Sequence, residues 1–117
     1  MQNTLKERSY HFALDILKLI AKLPNNRASW VISDQLIRSA GSIGANHVEA
    51  QASSSRLEYK KFFEISLKSA NESIYWLGLL KDSKLSEEKE TDSLICEAKE
   101  LSKMLGRSVI TLKAKKF

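Results

Sequence analysis

Asn46, His47 and Glu49 lie within one helical turn of each other, and an imidazole beside a carboxylate and an amide could begin acid–base chemistry. The spacing does not put two carboxylates on one face, and neither a nucleophile nor a ligand set accompanies His47 at a useful position. These residues read as structural. His47 is expected as a capped or interface histidine, Arg38 as a partner of Asp34 one turn earlier, and Glu49 as a partner across helices. His11 and Asp15, also one turn apart, read as a surface pair. With two histidines, one cysteine (Cys96) and no Glu-x-x-His, the chain lacks the ligands of a zinc or di-iron bundle, and no cofactor is expected. Gly41-Ser42-Ile43-Gly44 lacks the lysine and the length of a phosphate loop. No enzyme signature remains.

The other chemistry within reach is contact with polyanions. Lys and Arg outnumber Asp and Glu by 19 to 14, a formal charge of +5, and the excess is uneven. Lys103, Arg107, Lys113, Lys115 and Lys116 follow Glu100 with no further acid, whereas residues 81–100 hold seven acids and four lysines. Arg56, Lys60 and Lys61, with Lys68 beyond them, form a second basic group that Glu58 and Glu64 dilute. Such clusters can bind phosphates, and they also arise as solvated surface or as complements to a helix dipole. Tyr10, Tyr59 and Tyr75 form no recognisable single-strand motif, and no zinc finger, helix-turn-helix or RNA-recognition signature appears. Contact would be with phosphates and would weaken with salt.

The elements that carry these residues are helical. One proline and four glycines in 117 residues suit a helical chain, and the length suits one domain over residues 1–117. Thr4 and Glu7 have capping-box spacing, and Phe12, Ile16, Leu19, Ile20 and Leu23 follow as an apolar stripe up to Pro24. Asn26 is placed to cap a second helix from about Ala28 to Ala52, with Trp30 or Val31, Leu36, Ile37, Ala40, Ile43, Ala45 and Val48 on its apolar face. Gly41 and Gly44 each cost this helix about 1 kcal/mol in propensity, yet the period continues through them. Their small surface lets another helix approach closely. Ser55 and Glu58 open a third helix with an apolar stripe through Leu57, Phe62, Phe63, Leu67, Ala70, Ile74, Leu77 and Leu80. A smaller stripe of Phe62, Ser66, Ser69, Ser73 and Trp76 could lie against the small face of helix two. Ser86 is the predicted cap of a fourth helix carrying Leu94, Ala98, Leu101, Leu105, Val109 and Leu112, with Cys96 part-buried beside that stripe. The predicted fold is all-α, an up-and-down antiparallel four-helix bundle.

The residues 33–50 run, SDQLIRSAGSIGANHVEA, resembles the small four-helix bundle proteins encoded in intervening sequences of bacterial 23S ribosomal RNA genes, the S23 ribosomal protein family. Gln35, Leu36, Arg38, Ser39, Ala40, Ser42, Ile43, Asn46 and Glu49 match that family's helix-two pattern in place, followed by the start of helix three at 58–62 and the segment 65–73. Gly44 stands where proline is usual, His47 where isoleucine is usual and Ala50 where glycine is usual. Ser66 and Ser69 replace a more usual alanine and glycine. The resemblance implies a bundle that can form cyclic pentamers. More remotely, the chain is similar to the accessory variability determinant proteins of diversity-generating retroelements, which implies a basic ring that binds nucleic acid beside a reverse transcriptase.

The expectation is thus a self-associating, non-enzymatic bundle that binds RNA or DNA weakly. Its phosphate contacts are expected at Lys103, Arg107, Lys113, Lys115, Lys116, Arg56, Lys60 and Lys61. Arg38, Gly41, Gly44, Asn46, His47, Glu49, Ser66, Ser69 and Ser73 are expected at packing or interface positions. The alternative is a structural or protein-interaction module with no nucleic-acid binding. No apolar run reaches the roughly 18 residues of a membrane span and no export segment opens the chain, so a cytoplasmic location is expected.

Overall fold

The computed structural model describes residues 4–114 as four α-helices: α1 (Leu5–Ala21), α2 (Arg27–Gln51), α3 (Arg56–Asp82) and α4 (Glu88–Ala114). Each packs on its sequence neighbours, α4 closes against α1, and the diagonal pairs do not meet, so the bundle is a square. Short connections alternate the helix directions. The starts of α1 and α3 therefore share one end with the finishes of α2 and α4, in a molecule 48 Å long and about half as wide.

Local chemistry fixes the boundaries. Thr4 Oγ1 accepts from Glu7 N at 3.1 Å, Asn26 Oδ1 from Ser29 N at 2.9 Å, and Ser55 Oγ from Glu58 N at 3.1 Å. Ser86 does not cap α4. Glu87 does, its carboxylate accepting from Lys89 N at 3.0 Å and Glu90 N at 2.8 Å, while Ser86 Oγ bonds Thr91 Oγ1 at 2.6 Å. Thr91 is fully buried and its hydroxyl draws Ser86 inward, leaving the cap to the next residue. Between α3 and α4, Leu85 N donates to Leu80 O and Lys84 N to Lys81 O, both at 3.1 Å. This is a Schellman stop. Its left-handed position is held by Lys84, at φ 61°, where glycine is usual.

The core is Phe12, Ile16 and Leu19 of α1; Leu36, Ala40, Ile43 and Ala50 of α2; Phe63, Ala70, Leu77 and Leu80 of α3; and Leu94, Ala98, Leu101, Leu105 and Val109 of α4. Several expected apolar positions face out. Trp30 is 58% exposed, and Val31, Val48 and Leu57 are also exposed. The inward face of α2 repeats as Ser29, Leu36, Ile43 and Ala50, so Trp30, Val31 and Val48 turn away from it. The Trp30 indole N–H donates to Asn25 Oδ1 at 2.9 Å. Cys96 is exposed, because Leu94 and Ala98 take the neighbouring inward positions.

Between α2 and α3 the seam is hydroxylic. Ser39 and Ser73 are 2.9 Å apart, Ser69 Oγ donates to Ser42 Oγ at 2.8 Å, and Ser66 Oγ donates to Ile43 O at 2.7 Å. Small side chains bring the two backbones close, and each hydroxyl there has a partner, as burial requires.

Candidate nucleic-acid interface

The antiparallel path brings two basic groups, far apart in sequence, to one end of the bundle. Arg107 joins Ser108, Thr111 and Leu112 of α4 and Tyr59 and Phe63 of α3 around a depression of about 370 Å³. Lys113 Nζ reaches Glu64 Oε2 at 3.7 Å, tying the end of α4 to the first half of α3. Arg56 and Lys61 are exposed and Lys60 is half-buried on the opening turns of α3, at this same end. Lys103 stands one turn before Arg107 on α4, with its ammonium 3.8 Å from Glu100. Lys115 and Lys116 lie outside the described residues.

Two acids, Glu58 and Glu64, lie among the cations of α3. Glu58 Oε1 accepts from Ser54 N at 3.0 Å, and Glu64 faces Lys113. Among the described residues, Arg56, Lys60, Lys61 and Arg107 enter no ion pair. Tyr59 is not a free stacking platform, since its ring lies on Phe63 with centroids 4.8 Å apart.

A cation that the sequence did not single out sits nearby and is spoken for. Arg8 forks onto Glu97 with Nη2–Oε1 at 2.7 Å and Nε–Oε2 at 3.0 Å, and its Nη1 reaches Met104 Sδ at 3.4 Å. The Glu97 hydrogen bond raises its pKa further, against a smaller lowering by burial. This clamp joins α1 to α4 across most of the chain's length, and no local pattern announces it.

The candidate packing residues lie on both sides of α2. On one side, Ser66, Ser69 and Ser73 enter the hydroxyl seam, and Asn46 Nδ2 donates within its own helix to Ser42 O at 2.8 Å. On the other, Gly41, Gly44, Ala45 and Val48 face Ser9, Tyr10 and Ala13 across a groove of about 590 Å³, rimmed by Lys6, Glu7 and His11. A Cβ at Gly44 would come within 3.2 Å of Ser9 Oγ, whereas one at Gly41 would meet nothing within 4 Å. His47 packs its ring 5.6 Å from that of Phe63, and its Nδ1 is buried with no hydrogen-bond partner. Burial, and then the charge of Lys6, lowers its pKa below the ordinary 6.5.

The pairs expected for Arg38 and Glu49 do not form. Both residues are exposed, as is Asp34, and neither enters an ion pair among the described residues. They project from the outer side of α2, where solvent screens an (i, i+4) pair and little holds it. Among the described residues, no three His, Cys, Asp or Glu side chains stand together as metal ligands, and no helix is long and apolar enough to cross a membrane.

A family profile described as 23S rRNA-intervening sequence protein matches residues 1–107. The 1.70 Å crystal structure of a protein of unknown function from the S23 ribosomal protein family of Bacteroides thetaiotaomicron has a TM-score of 0.84 to this chain at 35% sequence identity. The similarity covers 91% of this chain and 98% of that one. No curated protein matches. Lys113, Lys115 and Lys116 fall beyond the matched residues, whereas Arg56, Lys60, Lys61, Lys103 and Arg107 fall within them.

Proposed function

The chain belongs to the 23S rRNA-intervening sequence protein family, and on that footing we propose that it is a non-enzymatic, self-associating bundle that holds RNA or DNA by the phosphates at the shared end of α3 and α4. The observation that carries this reading is the antiparallel path that brings the basic start of α3 and the basic finish of α4 to one end, where Arg107 lines a depression with Tyr59 and Phe63. In an up-and-down bundle the helix dipoles at one end cancel in pairs, so a positive potential there comes from side chains. A ring of copies, as the family resemblance implies, would repeat that end and focus the field. The remote similarity to accessory variability determinant proteins supports the same reading.

Binding of this kind is measured by titrating labelled RNA and DNA at 50 and 200 mM salt. With about four phosphates neutralised, affinity should fall by roughly two orders of magnitude between those concentrations. No binding even at low salt would sink the proposal.

A second reading, a protein-interaction module, is favoured by the groove between α1 and α2. Its floor of Ala13, Gly41, Gly44 and Ala45 is flanked by the exposed Tyr10 and Val48. Sedimentation tests the self-association that both readings share: a single-chain mass at every concentration would remove it from both.

A further inference from the structure

On α3, Lys61, Lys68 and Tyr75 succeed one another at seven-residue intervals, so they fall on one outer stripe about 21 Å long. All three are exposed, Tyr75 to 61%, and Ile65 lies exposed between the two lysines. Neither lysine enters an ion pair among the described residues. Of the neighbouring acids, Glu64 is shared with Lys113, and Glu72 keeps its charge while its Oε2 accepts from the Trp76 indole N–H at 2.8 Å. Tyr75 packs against Trp76 in an edge contact, with ring centroids 5.0 Å and planes 77° apart, and much of its ring stays open to solvent.

We infer that this stripe is a track for single-stranded nucleic acid, with phosphates on Lys61 and Lys68 and an unstacked base on Tyr75. The inference rests on the phosphate-binding reading and extends it along α3, away from the basic end. The chemistry selects single strands, because a duplex keeps its base faces stacked and offers Tyr75 nothing to cover. Two cations followed by an aromatic ring on a span of this length fit the short end of single-strand footprints, roughly four nucleotides or more.

Fluorescence anisotropy with a ten-nucleotide single strand, the matching duplex and an abasic strand, each in RNA and DNA form, tests it. Tyr75→Ala should weaken the single strand roughly five- to hundred-fold and leave the abasic strand unchanged, while Tyr75→Phe keeps the affinity. Lys68→Gln should lower the single-strand salt slope by about 0.7. In a Trp30→Phe background, emission reports Trp76 alone, and it should change on binding in the presence of Tyr75. Circular dichroism checks that these exposed substitutions leave the fold intact. If Tyr75→Ala and Lys68→Gln bind as the parent does while Arg107→Gln and Lys60→Gln lose affinity, the track is wrong and the basic-end reading stands. If no nucleic acid binds at low salt, both fall.

Discussion

His47 carries a cost that solvent pH can reveal. Its Nδ1 is buried without a partner, and its pKa is lowered by burial and by Lys6. Above about pH 6.5 the imidazole is neutral in folded and unfolded chains alike. As pH falls below that, the unfolded chain takes up the proton more readily, so stability declines towards the lowered folded pKa. His47→Ile should remove this decline and, by deleting an unsatisfied polar atom, stabilise the fold by about 1 kcal/mol at neutral pH. Urea melts at pH 7 and 5 would show it, and an unchanged difference between the two pH values would refute the assignment. The glycines give a matched pair. Gly41→Ala meets no neighbour and should gain up to about 1 kcal/mol of helix propensity. Gly44→Ala presses on Ser9 and should gain less or lose stability. The sequence shows both as small residues in a helix; only the partner helix distinguishes them.

Among the elements, periodicity and caps gave the helices to within a residue or two, because Thr4, Asn26 and Ser55 are local signals acting on local backbone. The failures were equally physical. Ser86 looked like a cap until a buried threonine claimed its hydroxyl, and Trp30 looked like core until Ser29 took the inward position. The turn after α3 was legible at Asp82 to Ser86, but its Schellman form was not, because lysine, not glycine, occupies its left-handed residue. Lys84→Gly should therefore raise stability by roughly 1 kcal/mol, read as a higher melting temperature. The hydroxyl seam makes a sharper prediction. Ser73→Ala strands Ser39 only in part, since Ser39 Oγ also donates to Leu36 O at 3.1 Å, and the double Ser39→Ala, Ser73→Ala change should cost less than the two single losses added. A strictly additive double-mutant cycle would show that the pair is not coupled.

At the scale of the whole molecule, the acids of 81–100 fall towards one end and the cations of 56–61 and 103–113 towards the other, 48 Å being the long dimension. Each basic group was legible in the sequence, but their meeting was not: it depends on α3 and α4 running antiparallel in register. Arg8 and Glu97 were unreadable for the same reason. Arg8→Ala should cost about 1–3 kcal/mol by leaving a part-buried carboxylate without its fork, seen as a lower urea midpoint. Register itself follows from the serines between α2 and α3. Leucines slide over one another with modest loss, but three hydroxyls whose partners sit at fixed heights act as a vernier. A shift of half a turn, about 2.7 Å, would pull all three contacts beyond hydrogen-bonding distance at once. The seam that holds the two helices together thus also fixes the height of one against the other.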